Sequence, residues 1–479
     1  MPRKRRIIRL RSRLALSLAL LGLILLVPSA VWAGGHVVNV APPNGVDDTA
    51  NLQTALDTCV AYGRGCTLQL AAGTYQTKQL VAYNFNGTFK GMGQAQTTIE
   101  ALPYLLVNFE ASEGSLCRPE PGKCLWPMVI LFVDGSIRVS DVSLVVPATN
   151  GTAALPWTYG GVPYSGLASV MTFTGQHVTA NVDRIRLEGR LDPTDPYFGY
   201  NVVMAMDFNG TFPRSSKPFD WYFVSGSFTV RNSSFNTAYV GISAWGFIRS
   251  SYITIGGSPL AGNQLENGFG GLDIESADGS TFDISYNESS GIYAGMWVVP
   301  WDLAIFVPGR PSRYLIHDNK FIGNTQYGEG MFLSDDPAKP WIQAAAWNNT
   351  VEVQDTLSEG IGVYNTKGTA LWNNSITGTD GSDAIGLYSS TLGTVINNNV
   401  SGFTVDSTVG NAQIYLNPYT AKDLVVCAES SDTVLNQGTD NIIIGCQQEA
   451  ATLATATKSA APAAATPRPG LLKGKPWPR

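Results

Sequence analysis

Charge and histidine are scarce in this chain. Charged residues make up 14% of its 479 residues, and there are three histidines, His36, His177 and His317. None of the three stands near a cysteine at ligand spacing, which excludes a zinc centre built from the two residue types. A phosphate-cradling Gly-rich loop and a nucleophile elbow are both missing, and the Gly-x-Gly of "GMGQAQ" belongs to a strand turn. The formal charge is −6, and much of the basic charge lies at the two ends, so the body is distinctly acidic. An acidic surface repels phosphate backbones, which removes nucleic acid from the expected partners. Beyond residue 33 no apolar run reaches the roughly 20 residues that a membrane span needs.

The ends do not read as fold. "MPRKRRIIRLRSR" is a basic n-region, "LALSLALLGLILLV" is an apolar run of secretory length, and "VWA" before Gly34 offers a cleavage site. Residues 1–33 are therefore expected to be a signal peptide. Residues 449–479, rich in Ala, Thr and Pro, bury too little apolar surface to offset ordering entropy and read as a flexible tail. Six cysteines fall in three close pairs, Cys59 with Cys66, Cys117 with Cys124, and Cys427 with Cys446. In an exported chain an even count suggests disulfides. Fifteen pairings are possible, proximity favours the local one, and reduced buried thiols are the alternative.

What the body does have is a repeat. "AAWNNTVEV", "ALWNNSITG" and "VINNNVSGF" align so that Val351, Ile376 and Val400 fall at equivalent places. Their spacing, roughly 25 residues, lies in the range of solenoid repeats. Between them recur segments such as "GLDIESA", "GMFLSDD", "GIGVYNT" and "AIGLYSS", in which apolar residues alternate as in half-buried strands. Units this short cannot bury a face alone, but stacked coils about 4.8 Å apart can. Asn348, Asn373 and Asn398 are then expected to stack at equivalent bends, with amides bonding along the column.

With "NGVDDTANLQTALDTC", "CTLQLAAGTYQT" and "GTFKGMGQAQTTIEA" at its start, the chain resembles the pectin-lyase-like superfamily of right-handed parallel β-helices. The resemblance implies one all-β solenoid over residues 34–448. A helix near residues 48–60, with Asp48 as N-cap and Leu52, Ala55, Leu56, Cys59 and Val60 on one face, would cover the open first coil. Asp47 and Asp48 are thus read as a capping device. The resemblance also implies a polysaccharide as partner. The Asn-Thr-Asp, paired Asp, Gly-His-Gly and Arg-Ile-Lys pattern of polygalacturonase-like members is absent, as is the Tyr-Gly-x-Asp-Pro-His motif of alginate epimerases.

Candidate chemistry follows from register. If Leu272, Met331, Ile361 and Ile385 point inward, Asp273 and Glu275 share the outer face with Ser334, Tyr364 and Tyr388. Two residues apart on one strand, Asp273 and Glu275 have α-carbons roughly 6.5–7 Å apart, compatible with paired acid–base work. Asp335 and Asp336 on a neighbouring coil are expected to join them as catalytic residues. Glu329, Glu359 and Asp383 precede successive strands, and carboxylates stacked there would suit calcium. The stretches Gly291 to Tyr314 and Ser334 to Trp341 read as insertions that emerge as loops. Their Trp297, Trp301 and Trp341 would wall a groove in which Tyr364 and Tyr388 stack on sugar rings, with Arg310 and Arg313 meeting a uronate carboxylate. For a lyase, Arg249, Arg310 or Lys320 would act with calcium on the acidic stack, and the acidic face with few well-placed basic residues tilts the reading toward a hydrolase or toward no chemistry at all.

The sequence therefore predicts a secreted or cell-envelope β-helix, monomeric and free of the membrane once the signal is removed, acting on an extracellular polysaccharide as a glycoside hydrolase or polysaccharide lyase. It requires no cofactor, calcium being the candidate ion. The alternative is a non-catalytic carbohydrate-binding or structural surface protein.

Overall fold

A computed structural model describes residues 35–102, 128–147, 158–159, 162–163, 167–192, 200–209, 224–245, 248–275, 277–299, 310–323, 329–335, 342–354, 359–378, 383–403 and 412–449. Met1–His36 and Val37–Arg479 are separate units, and nearly everything described lies in the second. The expected signal peptide and the tail from Ala450 onward fall outside the described residues.

The chain is a right-handed parallel β-helix. Each full coil contributes three strands, and each strand pairs in parallel with its equivalents one coil before and after. One coil runs through Glu329–Ser334, Ile342–Trp347 and Thr350–Val353, and the next through Glu359–Tyr364, Ala370–Trp372 and Ser375–Thr377. These positions define a first, second and third sheet. The predicted stacking holds, with Val351 opposite Ile376 and Ile376 opposite Val400 on the third sheet. On the first sheet Leu272, Met296, Met331, Ile361 and Ile385 follow one another in register, all buried. Alternation then sends Asp273 and its equivalents outward.

Asparagine holds one corner, through one of the three residues first expected and five others. The interior column is Asn263, Asn287, Asn319, Asn349, Asn374 and Asn398, all buried. Each Nδ2 donates to the Oδ1 of the next, at 2.8 to 3.0 Å. The second amide proton goes to a backbone carbonyl, as from Asn374 to Ala346 at 3.0 Å. Asn398 belongs to this ladder. Asn348 and Asn373 do not, since they sit one residue earlier at φ of 54° and make the bend itself. Asn tolerates the left-handed backbone region, so neighbouring asparagines divide bending and laddering between them.

The helix Thr49–Tyr62 buries Leu52, Ala55, Leu56 and Cys59 against the first strands, Val37–Asn39 and Cys66–Gln69 among them. It covers the first coil as predicted, and Cys59–Cys66 ties it down. Asp48 occupies the N-cap position but makes no side-chain cap bond. Its carboxylate accepts the backbone N–H groups of Asn44 at 2.9 Å and Gln76 at 3.1 Å, locking the entry turn to the strand Gly73–Thr77. Asp47 accepts from Thr49 and pairs with Lys78 at 3.1 Å. Cys427–Cys446 forms the second disulfide, and Cys117 and Cys124 lie outside the described residues.

Candidate active site

The strand Val202–Asn209 reads "VVMAMDFN", with Met204, Met206 and Phe208 buried inward and Asp207 and Asn209 on the opposite side. Asp207 pairs with Ser243, and Ser243 with Asp273, so the two acids share one outward column with a serine between them. Two coils separate their α-carbons by about 9.6 Å. Glu275 follows Asp273 on the same side. Asp207 and Glu275 are each only 1% exposed, while Asp273 is half-buried at their side.

Burial governs the protonation of this group. It pushes the Asp207 carboxyl up to about 8, helped by the nearby Asp273 charge and opposed by Asn209 and Ser243. Asn209 Nδ2 donates to Asp207 Oδ2 at 2.7 Å. Asp273 also rises, again through burial, with a hydrogen bond to Glu275 acting the other way. Desolvation favours the protonated form of Asp207 and moves Asp273 the same way, so the three neighbouring carboxyls do not ionise independently.

Trp297 is the next member of the Asp273 column. Its indole lies back over the sheet where a side chain at Gly270 would stand: a Cβ there would fall 2.0 Å from Trp297 Cζ3. The absence of a side chain at Gly270 is therefore what lets the ring lie there. Phe269 stacks on Trp297 with centroids 6.0 Å apart, Tyr239 stacks on Phe269 at 4.7 Å, and Tyr200 meets Tyr239 edge-on at 6.0 Å. Burial holds the Tyr200 hydroxyl far above its ordinary value.

The structure brings Asp273, Glu275 and Trp297 together and corrects several other expectations. Asp335 has a backbone partner of its own. It is buried at the end of the strand Glu329–Ser334, and its Oδ2 accepts the Ile342 N–H at 3.0 Å, so it ties that end to the start of the strand Ile342–Trp347. Asp336, Trp301 and Trp341 lie outside the described residues. Gly291 to Val299 is not an insertion but the latter part of the strand Glu288–Val299. Arg313 belongs to the second sheet, between Thr281 and Gln343, and faces away from this site. Arg310 is held at a corner by Ser250 at 2.7 Å and by Asp278.

Glu329, Glu359 and Asp383 are not assembled as metal ligands, and among the described residues no three acidic, histidine or cysteine side chains are grouped to hold an ion. Tyrosine hydroxyls meet the oxygens of Glu359 and Asp383 instead. Tyr364 donates to Glu359 Oε2 at 2.7 Å, and the Tyr388 hydroxyl lies 2.7 Å from Glu359 Oε1 and 2.8 Å from Asp383 Oδ2. The two rings stack at 4.5 Å, so they present edges rather than faces to the outside. Burial, with Asp383 and Glu359 nearby, raises the Tyr388 hydroxyl well above its usual value. Asp207 is the residue that the sequence reading missed. Its strand carries the same alternation as the others, but it stands far upstream of Ser243 and Asp273, outside the regular spacing.

No protein-family model matches the chain, and no curated protein sequence matches it. Several solved structures follow a similar backbone path. The catalytic unit of a thermostable α-1,3-glucanase from Streptomyces thermodiastaticus is 13% identical, with a TM-score of 0.49 over 88% of this chain and 70% of that one. DFA-IIIase from Arthrobacter chlorophenolicus is 12% identical, with a TM-score of 0.45 over 83% and 95%. A mannuronan C-5 epimerase A-module from Azotobacter vinelandii is 11% identical, with a TM-score of 0.42 over 84% and 96%. At these identities and scores nothing of their chemistry carries over. What they have in common with this chain is the course of the backbone.

Proposed function

We propose that this chain is an exported enzyme that cleaves glycosidic bonds in an extracellular polysaccharide, with Asp207, Asp273 and Glu275 as its acid–base apparatus. The observation that carries the reading is the gathering of these three desolvated carboxyls on one outward face, beside Trp297. Asp207, protonated at neutral pH, is the general acid: its proton passes to the glycosidic oxygen as the bond to the anomeric carbon breaks. The Asp273–Glu275 pair, which keeps one negative charge, takes a proton from water as that water attacks the anomeric carbon. Ser243 stands between the two functions in the column. The two-coil separation of Asp207 and Asp273 suits carboxyls about 6.5–9.5 Å apart, the arrangement that inverts the anomeric centre. The two disulfides fit an oxidising compartment, in line with the signal-like segment at the N-terminus.

The test is turnover on a panel of plant, algal and bacterial polysaccharides, with and without calcium, with the product anomer read by NMR. Asp207→Asn, Asp273→Asn and Glu275→Gln should each lower kcat about 10²- to 10⁴-fold. Unaltered activity in the Asp273→Ala, Glu275→Ala double variant would remove the hydrolase reading. Binding of a glycan with no turnover on any substrate would instead make the chain a carbohydrate-binding protein.

A further inference from the structure

Around Asp207 the first sheet leaves several buried polar atoms without hydrogen-bond partners. They are Asp207 Oδ1, Thr172 Oγ1, Thr174 Oγ1 and Ser243 Oγ. All four residues are at most 1% exposed. Their places are set by register: Thr172 stands one coil before Asp207 in the same column, and Ser243 one coil after it. Thr174 lies on the same side two residues beyond Thr172, on the level of Asn209. Ser243 is near enough to favour the ionised form of Asp207, yet meets no hydrogen-bond geometry. Other serines in this fold do find partners. Ser169 Oγ reaches the carbonyl of Met171 at 3.1 Å, and Ser251 Oγ that of Arg249 at 3.0 Å. Hydroxyls that face outward, are shielded from bulk water and lack partners are set up for a ligand that brings its own donors and acceptors.

We infer that Thr172, Thr174, Ser243 and the unpartnered oxygen of Asp207 form a subsite for an uncharged sugar unit, on the side of the acids away from Trp297. The inference rests on the reading of the acids given above and adds the class of substrate. A sugar hydroxyl both donates and accepts, so it can complete a threonine, a serine and a carboxyl oxygen in turn. A uronate would place an ionised carboxylate against Asp207, Asp273 and Glu275, and none of the described residues lining this column is cationic. The glycan would then run along the helix axis, with a hydroxyl-lined subsite before the scissile bond and the indole after it.

The test compares Thr172→Val, Thr174→Val and Ser243→Ala with the unmodified chain. The probes are malto-, laminari- and fructo-oligosaccharides, with oligogalacturonate and oligomannuronate as the charged arm, read by calorimetry and by KM and kcat where turnover is found. Each substitution should weaken binding of the neutral probe about two- to tenfold and raise KM; kcat should change little in Thr172→Val and Thr174→Val, while Ser243→Ala, which alters the neighbour of Asp207, is judged on binding alone. The thermal midpoint should hold or rise, because an unpartnered buried hydroxyl is removed. Thr366→Val is the control, since Thr366 Oγ1 is likewise unpartnered and buried but lies several coils away. It should match the others in stability and leave binding unchanged. Unchanged binding in all three site variants would overturn the inference while leaving the acids' role standing. Tighter binding of an oligouronate than of every neutral probe would overturn it as well. Failure of the unmodified chain to bind or cleave any probe would overturn the reading of the acids themselves.

Discussion

Asp207 should be a stability burden that an amide relieves. A carboxyl that releases its proton near 8 instead of 3.8 disfavours the ionised folded state. The cost is about 1.4 kcal/mol for each pH unit between those values, or roughly 6 kcal/mol once ionisation is complete. The sign follows from proton counting. Between those values the folded chain holds a proton that the unfolded chain has released, so stability falls as pH rises from about 4 and levels off above 8. Asp207→Asn keeps the shape and the bond partner at Asn209 but has no proton to lose. Denaturant midpoints of the two chains should run close together at pH 4 and separate progressively to pH 9, with the variant the more stable. Because so large a solenoid need not unfold in one step, the comparison should be made on the transition that reports the first sheet, followed by hydrogen exchange in Val202–Asn209. Parallel stability curves across this range would refute the burial of a proton at Asp207, and with it the general-acid role. The same proton predicts that kcat declines above about pH 8.

Other perturbations test neighbouring parts of the structure. Asn374→Ala orphans the backbone and side-chain donors of Asn349 and should cost about 2–5 kcal/mol in thermal or denaturant unfolding. Asn373→Gly, one residue earlier and at positive φ, should cost a few tenths at most. Gly270→Ala forces the Trp297 indole off the sheet, costing about 1–3 kcal/mol, and should shift tryptophan fluorescence and weaken glycan binding. Replacing Cys59 and Cys66 together by serine should cost about 2.5 kcal/mol by loop-closure entropy and release the capping helix, read as faster proteolysis near Tyr62 and aggregation on heating.

The coil was legible because its signal is local and repeated. Val351, Ile376 and Val400 share a sequence context, so their stacking could be read from spacing alone. The inward and outward sides of "GLDIES" followed from strand alternation, which placed Asp273 and Glu275 correctly. The single helix was legible from its apolar spacing. Features that depend on one residue's position within a bend were not. Asn373 and Asn374 are chemically identical, and only backbone geometry makes one the bend and the other the ladder. Glu359 and Asp383 read as a bare acidic stack because the tyrosines that bridge them come later in each strand and fold back onto them. Asp335 read as catalytic because a turn carboxylate and a reactive one look alike in sequence.

The period, the buried side of each strand and the covered first coil were written in residue order, since these depend on residue type at short range. Which acids meet depends on the assembled coils. Asp207 and Asp273 are far apart along the chain and come within two coils of each other because the intervening chain completes whole turns, a count set by unequal connections that leave no periodic trace. Burial, which holds a proton on Asp207, belongs to that same assembled environment.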